Sequence, residues 1–307
     1  KKGQMWKTED EGKSWKIKSG SRPFVYLWDS KTAWGKTSRN NIAKTEDGGN
    51  TWKVQKTFGN DVHIRFFFVN STTGWVVGRE EGDDRYKGPL VLNYFILHTN
   101  DGGKTWITQF KAPGRELRIS DDLVDIFFIN FDTGWAVGSN GLILHTKDGG
   151  KHWDQQTSSI KLRLERVHFV NPKIGMVIGD KGAWENTRSE GVVLYTMDGG
   201  AHWSRVWGES GVQLDDLFFL DNAAWVAGES SAGTLLAYSQ DGGKTWSKKE
   251  LGEIFFDKMY FPNKDRCVIL TEKGQLLITH DGGKTWHRKL KPVLVNPWHV
   301  SEIFKEK

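Results

Sequence analysis

The chain has 307 residues, of which 37% are hydrophobic and 26% charged, and its formal net charge is +5. This composition is globular and excludes a collagen or a disordered chain, and no apolar run reaches the roughly 18 residues of a membrane helix. One cysteine excludes an internal disulfide framework. The basic residues are interspersed with acidic ones, which predicts a mixed solvated surface and no nucleic-acid partner.

The first element in chain order is a short hairpin unit at residues 7–15, KTEDEGKSW, and six more copies follow it. Their shared core is [ST]-x-D-x-G-x-x-W. Aspartate accepts hydrogen bonds from nearby backbone N–H groups, and the glycine supplies a positive φ, so each unit predicts a tight turn between two strands. We expect the seven aspartates to be structural: Asp10, Asp47, Asp101, Asp148, Asp198, Asp241 and Asp281.

A second unit, two apolar strands around a turn, precedes every hairpin except the first. Its clearest copies read FFFVNSTTGWVVG at 66–78 and IFFINFDTGWAVG at 126–138. One period therefore predicts four short strands, A to D. Tryptophan recurs in strand B and at the end of the hairpin, which predicts a core position at both places. Cys267 stands at the strand-B position, where we expect a buried, unreactive thiol.

Seven periods of four strands predict one all-β domain over residues 1–307, a seven-bladed β-propeller with four-stranded antiparallel blades. A two-sheet sandwich would not explain the repetition. The N-terminal residues supply strands C and D of blade 1, and the C-terminal NPWHVSEIFKEK resembles its strand A. We therefore expect the ring to close by pairing of the N- and C-terminal strands, with strand B of blade 1 unassigned.

Alternating connections divide such a blade into two faces. The A–B turns and the C–D hairpins lie on one face, which we call the hairpin face. The B–C and D–A connections lie on the other, which we call the insertion face. The long insertions at 79–93, 111–122 and 180–191 all fall on the insertion face. Loops on a rigid scaffold concentrate binding residues, and Arg and Trp are favoured interface anchors. The candidate binding residues are Arg79, Asp83, Arg85, Tyr86, Arg115, Arg118, Trp184 and Arg188.

Charges of alternating sign occupy one position of strand A in blades 3 to 7. Because strand A is innermost in a propeller, these side chains are predicted to form an ion-paired ring that lines the central channel. The ring residues are Arg65, Asp125, Arg166, Asp216 and Lys258.

No pattern of catalytic or cofactor-binding residues stands out. The GGKT segments lack the earlier glycine of a phosphate-binding loop, no G-x-S-x-G elbow occurs, and the nine histidines show no metal-ligand spacing. We predict no catalytic residue, no metal and no cofactor, and favour a non-enzymatic protein while leaving an enzyme open.

The hairpin unit resembles the Asp-box, or bacterial neuraminidase repeat. The longer unit, nearly whole from Ile126 to Trp153, is similar to the photosystem II stability/assembly factor family. That resemblance implies a non-enzymatic assembly scaffold outside the cytoplasm (periplasm, lumen or secreted), which would act as a monomer on a protein partner, with any targeting segment outside this sequence.

Asp-box propellers also include sialidases, so the alternative is a sialidase-type glycoside hydrolase or a glycan-binding propeller. The nearest match to the F/Y-R-I-P segment of sialidases is Ser21–Phe24, where the residues stand in a different order. An unpaired arginine cluster with a Tyr–Glu pair would favour this alternative.

Overall fold

The computed structural model describes residues 5–7, 16–18, 25–38, 40–80, 93–111, 122–181, 189–252, 256–261, 263–271 and 276–289. Within these ranges every regular element is a strand except one 3-10 turn, Ser139–Gly141. The strands form one two-stranded sheet and six four-stranded antiparallel sheets. The predicted all-β class is confirmed, and the sheets are consistent with the blades of a propeller.

The sheets are numbered as the predicted blades. Sheet 1 pairs β1 (Met5–Lys7) with β2 (Lys16–Lys18). Sheet 2 contains β3 (Val25–Leu27), β4 (Ala33–Gly35), β5 (Asn41–Thr45) and β6 (Lys53–Thr57). Sheet 3 contains β7 (Val62–Phe68), β8 (Gly74–Glu80), β9 (Asn93–Thr99) and β10 (Ile107–Lys111). Sheet 4 contains β11 (Leu123–Phe128), β12 (Gly134–Gly138), β13 (Leu142–Thr146) and β14 (Asp154–Thr157).

The remaining sheets repeat this plan. Sheet 5 contains β15 (Arg163–Phe169), β16 (Gly175–Asp180), β17 (Glu190–Thr196) and β18 (Ser204–Ser210). Sheet 6 contains β19 (Gln213–Leu220), β20 (Ala223–Ser230), β21 (Gly233–Ser239) and β22 (Ser247–Glu250). Sheet 7 contains β23 (Phe256–Tyr260), β24 (Cys267–Thr271), β25 (Leu276–Thr279) and β26 (His287–Lys289). In all six sheets the strand order is the chain order, so the four strands are A, B, C and D as predicted.

The chain divides into two compact units. The first unit comprises Pro23–Gly179 and Leu194–Ser204 and contains sheets 2 to 4 with part of sheet 5. The second unit comprises Lys1–Arg22, Asp180–Val193 and Arg205–Lys307 and contains sheets 1, 6 and 7 with the rest of sheet 5.

Strand B carries the core of each sheet, whereas strand D is largely exposed. Residues 74–78 of β8 are all buried, but β6 has no buried residue. Four strand-B tryptophans are at most 1% exposed. Each packs against a phenylalanine of the next sheet, with ring centroids 3.5–4.4 Å apart: Trp34 on Phe68, Trp75 on Phe128 and Trp135 on Phe169 are stacked, and Trp225 is tilted against Phe261, directly after β23.

The same tryptophans hold the next sheet by a polar contact. Each indole N–H donates to the carbonyl of the first hairpin glycine there, at 3.0–3.4 Å: Gly102, Gly149, Gly199 and Gly282. Cys267 lies at the strand-B position of sheet 7 and is fully buried, and burial raises the pKa of its thiol. The thiol is therefore held in its unreactive protonated form, as expected from the sequence.

Candidate functional site

The predicted binding residues fall mostly outside the structurally described part of the chain. Of the eight, Arg79 is described, near the end of β8. The other seven lie outside the described residues: Asp83, Arg85, Tyr86, Arg115, Arg118, Trp184 and Arg188.

Arg79 connects the ends of two insertions. Its Nη1 lies 3.3 Å from Oδ2 of Asp122, whose side chain is only 6% exposed. Arg79 opens the insertion at 79–93, and Asp122 closes the one at 111–122, directly before β11. An ion pair thus joins the start of one insertion to the end of the other, at the insertion face of sheets 3 and 4.

Asp122 also binds the neighbouring sheet. Arg163, the first residue of β15, places Nη1 at 2.7 and 2.9 Å from the two carboxylate oxygens of Asp122. The Ser139 hydroxyl donates to Oδ1 of Asp122 at 2.5 Å, and Nε of Arg163 donates to Glu165 at 2.5 Å. We call these five residues, Arg79, Asp122, Ser139, Arg163 and Glu165, the Asp122 cluster.

The backbone of sheet 4 makes this close approach feasible. Gly138 packs against residue 122 so tightly that a Cβ there would lie 1.9 Å from the Asp122 carbonyl oxygen. That carbonyl accepts the Ser139 N–H at 3.0 Å. Glycine is therefore required at 138 for the turn to reach Asp122.

Two guanidinium groups face two carboxylates in the Asp122 cluster. Burial by itself lowers the pKa of Arg163. The negative charges of Glu165 and Asp122 raise it by more, so the pKa of Arg163 is above its ordinary value. The Nη2 groups of Arg79 and Arg163 make no hydrogen bond among the described residues. The cluster is thus charge-balanced, and within the described part of the chain Nη2 of each arginine remains available as a donor.

Sequence reasoning missed four of these five residues, although one signal was present. A basic residue directly follows the strand-B glycine in sheets 2 and 3, as Lys36 and Arg79, and an aspartate directly precedes the next strand A, as Asp61 and Asp122. Lys36 and Asp61 form a separate ion pair at 3.2 Å. The two pairs occupy different strand positions, because Lys36 is two residues after the strand-B tryptophan and Arg79 is four residues after it. The signal therefore indicates an ion pair between the two connections but not the partners of Asp122.

The predicted inner charges are partly described. Nε of Arg65 lies 3.7 Å from Oδ1 of Asp125, an ion-pair distance. Oδ2 of Asp125 accepts the Val167 N–H of β15 at 3.1 Å, and Oδ2 of Asp216 accepts the Met259 N–H of β23 at 3.2 Å. These aspartates join the first strands of neighbouring sheets through backbone donors.

The complete charge ring stays a prediction. Arg166 donates from Nη1 to the carbonyl of Glu165 at 2.5 Å, and the side chain of Lys258 lies outside the described residues.

Register shifts lie directly before three of these charges. The shifts fall between Leu123 and Asp125, between Leu214 and Asp216, and between Phe256 and Lys258. In sheet 3 the pairing of β7 with β8 is continuous through Arg65. Asp125 nevertheless pairs with Val137 as Arg65 pairs with Val77, in each case two residues after the strand-B tryptophan, so the two charges share one register position.

The six described hairpins share one hydrogen-bond network. Each aspartate accepts the backbone N–H four residues later at 2.9 Å and binds the side chain of that residue, which is Thr in four hairpins and His152 or His202 in two. The preceding Thr or Ser hydroxyl donates to the aspartate and accepts the second glycine's N–H, as Thr146 does at 2.9 Å in both bonds. Asp10 lies outside the described residues.

These bonds stabilise the ionised aspartates. The hydroxyl and N–H of Thr51 hold the pKa of Asp47 at about 2, and the N–H and ring of His202 do the same for Asp198. The pKa of Asp148 and of Asp281 is lower still. The hairpin carboxylates are thus engaged within their own turns.

In the described ranges no group of three or more His, Cys, Asp or Glu side chains is arranged to hold a metal ion. No helix there has the length and hydrophobicity that a membrane crossing requires.

Two family models match the sequence. The model described as Photosynthesis system II assembly factor YCF48 matches residues 113–212, a range that includes four members of the Asp122 cluster. The BNR/Asp-box repeat model matches residues 237–248 and 277–288. No curated protein matches the sequence significantly.

Solved structures show a similar fold. YCF48 bound to a D1 peptide is 20% identical, with a TM-score of 0.59 over 88% of this chain and 82% of that chain. YCF48 from Cyanidioschyzon merolae is 17% identical, with a TM-score of 0.61 over 89% and 86%. An ancestral GH74 enzyme is 12% identical, with a TM-score of 0.66 over 92% of this chain and 43% of that one.

At these identities the structural matches establish the fold alone. The repeats, the two family models and the shared fold together confirm that this chain resembles the YCF48 photosystem II assembly factor family and carries its Asp-box repeats.

Proposed function

We propose that the chain is a non-enzymatic, monomeric, extracytoplasmic assembly scaffold that binds a polypeptide segment of a protein partner through its insertion face. The ring would be a single seven-bladed domain, closed by its terminal strands. The YCF48 family match and the fold shared with YCF48 bound to a D1 peptide support a protein partner.

The Asp122 cluster is the observation that favours the insertion face as the binding surface. It fixes the ends of two insertions to each other and to sheet 5 through one carboxylate, at contact distances of 2.7–3.3 Å. A rigid base under long loops is the arrangement expected of a binding surface. The hairpin face has its carboxylates engaged in local turns and offers no comparable cluster in the described hairpins.

Calorimetric titration with a synthetic D1 peptide tests this proposal. Arg85→Ala with Trp184→Ala should weaken binding about tenfold or more, as expected for interface anchors, while the fold is retained. The matched control is Lys104→Ala with Lys151→Ala in two hairpins, which should leave the affinity unchanged. Equal weakening by both pairs would contradict the choice of face.

The glycoside hydrolase alternative requires arginines free to bind a substrate carboxylate. Arg65 instead lies against Asp125, and the charges of Arg79 and Arg163 are balanced by the carboxylates of Asp122 and Glu165. We therefore expect no turnover of a fluorogenic sialoside, and measurable turnover would favour the hydrolase.

A further inference from the structure

Asp122 is too buried to contact a partner, yet it binds residues of three sheets. The residue is 5% exposed, and its carboxylate contacts Arg79 of sheet 3, Ser139 of sheet 4 and Arg163 of sheet 5. We propose that Asp122 is a positioning residue, which presents Arg79 and Arg163 as one rigid pair on the insertion face. This inference rests on the proposed function.

Arg163 depends on Asp122 for its orientation. Both carboxylate oxygens accept from Nη1, Glu165 accepts from Nε, and the side chain remains 43% exposed. Two of its three nitrogens are therefore bonded to carboxylates, while Nη2 makes no hydrogen bond to the described residues. Pinning a long side chain in one rotamer removes an entropy cost that binding would otherwise incur.

Arg79 depends on Asp122 even more directly. Its one hydrogen bond to the described residues joins Nη1 to Oδ2 of Asp122, and its buried Nε has no partner among them. The Arg79 side chain is 24% exposed. Loss of the Asp122 charge would release this guanidinium and loosen the second one at the same time.

The Lys36–Asp61 pair joins a strand-B end to the start of the next strand A and shows what an enclosed structural ion pair looks like. The Lys36 side chain is 6% exposed, and its ammonium binds both Asp61 and the Val62 carbonyl. That cation is enclosed, whereas the side chains of Arg79 and Arg163 are 24% and 43% exposed. The difference marks the Asp122 pair for recognition and provides Asp61→Asn as a matched control.

Affinity for the synthetic D1 peptide gives the first test. Asp122→Asn should weaken binding about tenfold, within the range for losing one partner of a desolvated charge pair. Asp61→Asn should leave the affinity unchanged. In an Arg163→Gln background, Asp122→Asn should add little, because it acts through an arginine that is already absent. Equal effects of the two Asn variants, or full additivity with Arg163→Gln, would overturn the inference.

Ser139→Ala provides a milder variant in case Asp122→Asn does not fold. It removes the hydroxyl that orients the carboxylate and should weaken peptide binding in the same direction, by less. Unchanged affinity in Ser139→Ala, with Asp122→Asn unfolded, would overturn the positioning role.

Arginine side-chain NMR gives a readout that needs no ligand. The Arg163 Nη1–H resonance, from the group that donates to Asp122, should be protected from exchange in the parent chain and in Asp61→Asn, and should lose that protection in Asp122→Asn. If the parent chain fails to bind the D1 peptide, the proposed function is wrong and this resonance alone decides whether Asp122 orders Arg163. Unchanged protection in Asp122→Asn would overturn the inference.

Discussion

Aspartates are used in different ways on the two faces of the sheets. On the hairpin face each described aspartate binds a backbone N–H and a side chain four residues away, so the network closes inside one turn. On the insertion face Asp122 binds residues 17, 41 and 43 positions away, in three sheets. Local networks repeat with the sequence, whereas the Asp122 network joins residues that are far apart in the chain. Under the proposed function, the first face contributes stability and the second contributes recognition.

The largest expected effect concerns the core that supports both faces. Trp135→Ala removes a fully buried ring that stacks on Phe169 and donates to Gly199, so it should destabilise the chain by about 3–5 kcal/mol. Trp135→Phe keeps most of the stack and loses the N–H donor, so it should cost less. Urea unfolding measures both variants. Equal losses would mean that stacking contributes little.

The next effect tests the hairpin face alone. Thr146 is 1% exposed and its hydroxyl accepts the buried Gly150 N–H, so Thr146→Val should cost about 1–3 kcal/mol by leaving that donor unpaired. Asp148→Ala should lower the melting temperature through the same turn. Neither variant should change affinity for the D1 peptide. Weaker binding with unchanged melting would reverse the roles of the two faces.

Acidification should also act on the hairpin face. The pKa values of Asp47, Asp198 and Asp241 are about 2 in the folded chain, against an ordinary value of 3.8. A depressed folded pKa contributes stability above the unfolded pKa, and that contribution is lost as pH falls through the folded value. The urea midpoint should therefore fall between about pH 4 and pH 2, and less steeply in Asp47→Asn. A flat midpoint over that range would contradict the hairpin assignment.

The smallest effect is expected at the inner charges. Arg65 is 31% exposed at 3.7 Å from Asp125, so Arg65→Gln should change stability by less than about 1 kcal/mol. Asp125→Asn should cost more, because Asp125 also accepts the Val167 N–H of the next sheet. Denaturant midpoints separate the two variants. A larger loss for Arg65→Gln would mean that the ion pair, and not the backbone bond, joins these strands.

The sequence predicted what is repeated and local. The hairpin networks and the four-strand sheets follow from residue types at fixed spacing, such as Asp148 with His152. The partners of Asp122 lie outside the repeated unit, so periodicity gave no reason to group Ser139 with Arg163. Alternating charges indicated the Arg65–Asp125 contact, but the bond from Val167 to Asp125 uses a backbone donor, which leaves no mark in the sequence.

Hydrogen–deuterium exchange with and without the D1 peptide tests the division between the faces most directly. We predict that the peptide slows exchange in segments spanning 79–93, 111–122, 139–141 and 163–166, and leaves the six described hairpins unchanged. Slower exchange in the hairpins, with no change in these four segments, would contradict the account.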